Sequence, residues 1–219
     1  LSPLSQRQLR RAYFPLGHLT KQEVRAHAWG LDFGMATKKE SQEICFVPQN
    51  DYREFIAERK GPTAPGKIIS TTGEVLGEHG GALNYTLGQR RGLGIAAEQP
   101  YYVVRLDMAR NVVVVGFQEV SYCEHFETKN LSWGGMDAVD EPFECLVQLR
   151  SRHKAVPATV TRIRGGAAVV LHEPQQAVTP GQWAVFYDVD GFVLASAIVR
   201  SYTLLAQHQS ESTAAWVDQ

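Results

Sequence analysis

From Pro65 onward the chain breaks into apolar runs of four to six residues separated by glycine-bearing turns, a texture that rules out long helices. Short runs rich in β-branched residues and bounded by turn formers are the signature of strands. Runs at 67–70, 75–77, 83–86, 101–106 and 111–116 read as strands, with turns at Thr72–Gly73 and 107–111. A second set at 143–152, 156–163, 167–172, 183–188 and 192–200 is joined by Gly165–Gly166, Pro180–Gly181 and residues 188–191. Five such strands predict a small closed barrel, because closure removes the unpaired edges an open sheet would expose. The segment 88–94 is too rich in glycine and arginine for a core strand and is expected to be an exposed loop.

The front of the chain reads differently. Ser5 and Gln8 form a capping box for a helix over 6–13, and Thr20 with Glu23 forms a second over 21–29, with Leu19 and Val24 placed as a hydrophobic staple and Gly30 as C-cap. A third helix is expected over 52–59, ended by Gly61 and Pro62, with KKESQEICFVP as a strand or loop before it. The fold class is therefore mainly β with a short α-helical amino-terminal segment, a small β central domain and then a β-barrel. The expected divisions are 1–61, 62–127 and 128–203, followed by a polar, fraying tail at 204–219 in which Trp216 could dock.

With 44% hydrophobic and 21% charged residues in 219, the composition is that of a compact globular protein. A formal net charge of −1 gives no global field for nucleic acid, so such a partner must be sought in local patches. The apolar runs fall far short of the roughly 20 residues that span a bilayer, and the first residues lack the apolar centre of a signal peptide. A soluble protein without a membrane partner is expected. Cys45, Cys123 and Cys145 are odd in number and far apart, which argues against a disulfide scaffold and suits a reducing compartment.

Charge is segregated locally. From Leu146 to His172 there is no Asp or Glu, while Arg150, Arg152, Lys154, Arg162 and Arg164 all fall there. If the strands run far enough, the period of two puts Arg150, Arg152 and Lys154 on one face and Arg162 and Arg164 on another, two rows that could face phosphates. An ordinary solvated strand face is the alternative. Arg90 and Arg91 in GQRRGLG are a second candidate, since glycines permit close backbone approach while arginines donate; a structural turn with surface arginines fits the composition equally well.

Cys45 lies in SQEICFVP with Lys38 and Lys39 upstream, and positive neighbours favour the thiolate a nucleophile or sulfur carrier needs. A buried thiol beside Ile44 and Phe46 is the plainer reading of the same residues. Cys145 alternates with Phe143 and Val147 and reads as a packed core thiol; Cys123 has less support still as a site. His18, His79 and His153 have no partner at metal-ligand spacing, and GEHGG lacks the Gly-Lys-Ser/Thr ending of a phosphate loop.

Taken in order, FPLGHLTKQEVR, SQEICF, GEHGGALNYTLGQRRGLGI, NVVVVG, LRSRHKAVPATV and EPQQAVTPGQWAVFYD closely resemble the carboxy-terminal two thirds of the tRNA-specific 2-thiouridylase family, over nearly all of residues 4–200. The resemblance implies a sulfurtransferase that replaces the C2 oxygen of the wobble uridine of certain tRNAs, with ATP and Mg²⁺ used by a preceding PP-loop domain. That domain's SGGxDS loop and first catalytic cysteine do not occur in this sequence. The expectation is thus a fragment that binds no cofactor itself and is inactive alone, or else a catalytically inactive tRNA-binding or structural module.

By the resemblance, Cys45 is the second catalytic cysteine, which carries persulfide sulfur to the activated uridine and then pairs in a disulfide with the first. Gln89, Arg90 and Arg91 belong to a tRNA-facing loop; Arg150, Arg152 and Lys154 are further phosphate contacts. Residues 1–61 would be the helical remainder of the catalytic domain. A cysteine desulfurase or sulfur-relay protein is the implied donor, and bacterial cytoplasm the implied location. The sequence departs from the family pattern at Glu40, where Asp is usual, and at LASAI, where a glycine-rich string is usual and local packing is expected to differ.

Overall fold

The computed structural model describes residues 1–34, 47, 52–61, 63–151 and 154–204. They divide into two compact units, one made of Leu1–Gln6 with Thr63–Gln219 and the other of Arg7–Pro62. Cys45, Arg152, His153 and the tail with Trp216 lie outside the described residues.

Among the described residues, three helices occupy the front: α1 (Gln6–Leu9), α2 (Lys21–Gly30) and α3 (Tyr52–Lys60). Helix α1 stops earlier than expected. The capping box of α2 is present, with the Glu23 N–H donating to Thr20 Oγ1 at 3.3 Å and the Thr20 N–H donating to Glu23 Oε2 at 2.6 Å. The Thr20 hydroxyl, 2.7 Å from Glu23 Oε2, and then the Thr20 N–H donate to the Glu23 carboxyl and hold it below its ordinary pKa. Gly30 continues the helix and Leu31 is the C-cap, a correction to the glycine stop. In α3 the Arg59 guanidinium lies 4.0 Å from the centre of the Phe55 ring.

The larger unit holds a four-stranded sheet and a closed barrel. Strands β1 (Gly66–Ser70), β2 (Val75–His79), β3 (Tyr102–Asp107) and β4 (Val112–Gly116) form the sheet in the order β2-β1-β4-β3. β1 and β4 run parallel, and the chain between them supplies both outer strands. The unbroken run of four valines in β4 is explained by burial on both faces. Val113 and Val115 pack with Ile68, Val103 and Leu93 on one side. Val114 packs with Val104 and Leu204 on the other, where Val112, Ile69 and Tyr202 close the cluster.

Residues 83–86, expected as a strand, instead enter a 3-10 turn at Ala82–Asn84. Gly81 has φ of 129°, and its N–H donates to Nδ1 of the buried His79 at 2.9 Å. The Ala82 N–H donates to Asn111 Oδ1 at 3.0 Å. These bonds turn the chain before a ladder can start.

The barrel has six strands, one more than expected: β5 (Tyr122–Trp133), β6 (Phe143–Gln148), β7 (Val156–Ile163), β8 (Gly166–Gln176), β9 (Trp183–Tyr187) and β10 (Val193–Leu204), closed in the order β10-β5-β8-β7-β6-β9. The extra strand, β5, starts upstream of residue 128. Its interior is filled by alternating small and large side chains, among them Val147, Val160, Val169, Ala184, Phe186, Ala195 and Ala197. The LASAI segment is part of β10, where the fully buried Ser196 donates to the carbonyl of Ser2 at 2.9 Å and Gln6 Nε2 donates to the carbonyl of Gly134. Residues 1–6 are thereby laced to the barrel.

Candidate nucleic-acid interface

The segment after Tyr85 is a loop held by internal hydrogen bonds and by bonds to β3. Gly88, Gly92 and Gly94 have φ of 78°, 73° and 70°, the left-handed region that glycine adopts without a Cβ penalty. The Gln89 side chain organises the loop from within. Its Oε1 accepts from the Thr86 N–H at 3.0 Å and its Nε2 donates to the carbonyl of Arg91 at 2.9 Å. The backbone pairs with β3, Gly88 N–H to the Val103 carbonyl at 2.8 Å and Val103 N–H to the Gln89 carbonyl at 2.9 Å. Leu93 is buried beneath the loop while Arg90 and Arg91 are exposed. Among the described residues neither arginine meets a carboxylate.

On the barrel, β6 ends at Gln148, so Arg150 and Lys154 stand in the connection to β7 and share no strand face. Both are exposed. Arg150 donates from Nη2 to the carbonyl of Gln176 at 3.0 Å. Arg162 lies at the other end of β7, where it pairs with Asp140 at 2.6 Å. Eight strand residues at about 3.3 Å each keep the two basic groups roughly 25 Å apart. The expectation of two adjoining basic rows is therefore corrected: Arg162 and Arg164 instead line a cavity of about 660 Å³ beside Trp133 and Gly165.

The fold brings the central loop and Arg150 together. Gly88, at the foot of the loop, and Arg150, on the barrel, line one cavity of about 100 Å³ where sheet and barrel meet, with Tyr102, Ser121 and Gln176. Nothing in the sequence spacing places these residues together. The two described cysteines are free and buried. Desolvation pushes the Cys123 thiol up to about 11 and the Cys145 thiol to about 12, so both are neutral packing groups. The disulfide expectation concerns Cys45 and lies outside the described residues.

Two other polar clusters carry no chemistry that follows from their geometry. Thr159 Oγ1 donates to Glu144 Oε1 at 2.7 Å and lies 2.9 Å from His172 Nε2. Glu144 meets that same ring nitrogen at 3.1 Å. A relay triad needs its acid on the opposite nitrogen, so this is a cross-strand ladder. Burial lowers the pKa of His79, whose Nδ1 accepts the Gly81 N–H; its Nε2 has no partner among the described residues. No group of three His, Cys, Asp or Glu among the described residues is placed to hold a metal ion, and no described helix is long and apolar enough to cross a membrane.

Three family models match the chain in succession: a tRNA methyl transferase HUP domain at residues 1–49, a tRNA methyl transferase PRC-barrel domain at 53–117 and an aminomethyltransferase beta-barrel domain at 123–199. Part of a HUP domain is thus present at the front. The tRNA-specific 2-thiouridylase MnmA of Acidobacterium capsulatum is 42% identical over 207 residues, covering 90% of this chain and 55% of the relative. Those of Carboxydothermus hydrogenoformans and Geobacter metallireducens are each 45% identical, covering 85% and 87% of this chain and 52% of each relative. The chain spans about half the length of these curated relatives. The domain descriptions mention methyl transfer and the relatives' names mention thiolation; tRNA modification is common to both. With the three domains matched in order and the relatives aligned over most of its length, the chain belongs to the tRNA-specific 2-thiouridylase family.

Proposed function

We propose that this chain carries the tRNA-holding and sulfur-delivering parts of a tRNA-uridine 2-sulfurtransferase. The observation that carries the reading is the convergence of the Arg90–Arg91 loop and Arg150 at one sheet–barrel junction, since exposed guanidinium groups without carboxylate partners are what a phosphate backbone binds. Gln89 acts in it as a positioning residue. Lys154 and Arg152 extend the contact.

Cys45 is proposed as the sulfur carrier. In a persulfide the terminal sulfur is nucleophilic and the S–S bond supplies the leaving group. Attack on C2 of an activated uridine forms the carbon–sulfur bond and breaks the C2–O bond, the activating group leaving on that oxygen with the electron pair. A second thiolate then takes the Cys45 sulfur into a disulfide, and the new thiocarbonyl leaves with the electron pair of the old S–S bond. Cysteine desulfurase or a relay protein would load the persulfide. ATP and Mg²⁺ are assigned to the intact enzyme, whose SGGxDS string does not occur in this sequence. The reading places the protein in a bacterial cytoplasm.

Equilibrium binding to unmodified tRNA at two salt concentrations tests the contact. Arg90→Ala with Arg91→Ala, and separately Arg150→Ala with Lys154→Ala, should each weaken binding and flatten the salt slope by about one per lost phosphate contact. Unchanged slopes in both folded variants would overturn it. Cys45→Ser in the full-length enzyme should abolish thiolated tRNA, read by retardation on an organomercury gel, and leave tRNA binding intact. Full thiolation by that variant would leave a tRNA-binding module as the reading of this chain.

A further inference from the structure

We propose that the cavity between sheet and barrel is a pocket for one unpaired nucleotide of the bound RNA, its base beside Gln176 and its phosphate at the mouth on Arg150. The inference rests on the RNA-binding reading above and deepens it. Arginines on a surface account for sequence-independent phosphate contact; an adjoining cavity with a mixed lining offers something more.

Size comes first. The cavity measures about 100 Å³ and opens to solvent; a cavity of about 150 Å³ takes a whole benzene ring, so this one takes the edge of a base whose remainder stays at the mouth. Tyr102 and Val178 supply apolar wall and Ser121 and Gln176 supply polar groups, the combination that receives a base splayed out of a single strand.

The polar side is oriented beforehand. Ser121 Oγ donates to the carbonyl of Gln118 at 2.6 Å and accepts from Gln176 Nε2 at 2.9 Å. The Gln176 amide is fixed through one of its two hydrogens. Its other hydrogen and Oε1 have no partner among the described residues. An amide then presents a donor and an acceptor side by side in one plane, the pattern that reads a base edge.

Arg150 is fixed by the same residue, through the bond from its Nη2 to the Gln176 carbonyl. Most of the five N–H donors of a guanidinium remain for an anion. Gly88 lines the same cavity, and the chain runs from it through Gln89 into Arg90 and Arg91. An RNA strand lying on that loop reaches the mouth of the cavity without leaving protein.

The test is a ¹H–¹⁵N NMR titration of the whole chain with each of the four 5′-mononucleotides, ribose 5-phosphate and inorganic phosphate, for wild type and Gln176→Met. At least one nucleotide should shift the amides of Gly88, Ser121, Gln176 and Ala177 and bind about 2–10-fold more tightly than ribose 5-phosphate, the factor one base hydrogen bond supplies. Gln176→Met should erase that preference and keep the phosphate response, with the rest of the spectrum unchanged. Shifts confined to Arg90 and Arg91, equal binding of all six compounds, no binding of any, or a preference that survives in Gln176→Met would overturn the pocket. No base preference in the wild type, with its salt-dependent tRNA binding intact, removes this pocket alone. Absence of tRNA binding with the preference intact removes the tRNA reading instead.

Discussion

Gly88 lies against Ala177 so closely that a Cβ on the glycine would stand 2.6 Å from the Cβ of Ala177. Both residues have positive φ, 78° and 54°. The loop bearing Arg90 and Arg91 is thus seated on the barrel by a contact that tolerates no added atom, and its direction is set by packing as well as by its own hydrogen bonds.

Gly88→Ala should destabilise the larger unit by about 1–3 kcal/mol, the usual cost of a left-handed backbone at a non-glycine residue, with the clash against Ala177 added. Adding Ala177→Gly removes the clash and leaves the backbone cost. In urea unfolding the double variant should recover part of the loss, a coupling beyond about 0.5 kcal/mol. Strictly additive effects would mean that the two residues do not touch in solution.

The elements legible in the sequence are those whose burial follows a simple period. β4 announced itself because both its faces are covered, and α2 because Thr20 and Glu23 sit at capping-box spacing. β5 did not. A register shift between Cys123 and His125 puts Cys123, Phe126 and Thr128 inward, so the spacing is three and then two, and alternation is lost. The expected row Arg150, Arg152, Lys154 needed β6 to run past Gln148, its last residue and the last that pairs with β9. The identity of the basic residues was legible; their grouping was not. Gln176 and Ser121 join Arg150 through hydrogen bonds spanning 55 and 26 residues of sequence, across the neighbouring strands β5, β8, β7 and β6, which no local pattern encodes.

Thr128 is a buried polar residue with a specific duty. Its Oγ1 accepts from the Ala167 N–H at 2.9 Å and donates to the Ala167 carbonyl at 3.0 Å. Valine keeps the shape and removes both bonds. Thr128→Val should cost about 1–3 kcal/mol, the penalty for stranding a buried backbone group. Thr128→Ser restores the hydroxyl and should recover most of that bond. A Val variant as stable as wild type in chemical denaturation would show that the Ala167 groups find other partners.

Tyr202 ties β10 to the sheet, its hydroxyl donating to the Val104 carbonyl at 2.5 Å. Tyr202→Phe keeps the ring in the cluster with Val104, Val114 and Leu204. The expected loss is about 0.5–1.5 kcal/mol, together with faster amide exchange along β3 than in the barrel strands β6 and β7. A uniform change in exchange across both parts would assign the bond to general stability and not to the junction.

Alkaline pH should weaken the same core. Burial raises the Cys123 thiol from 9.0 to about 11, the Cys145 thiol from 9.0 to about 12 and the Tyr202 phenol from 10.0 to about 12. All three are neutral when folded, and unfolding lets them ionise at their ordinary values. Between pH 9 and about 11 the unfolded chain therefore binds fewer protons than the folded one, and stability falls as pH rises, by up to about 1.4 kcal/mol per pH unit for each group. The contribution is fully present below pH 9 and is lost through the folded values. Denaturant midpoints measured from about pH 8 to about pH 10.5 should decline, and Cys145→Ala should flatten the decline even where it lowers stability at neutral pH. A midpoint that is level across this range in wild type, or a slope unchanged by the substitution, would mean that these thiols reach solvent before the fold opens.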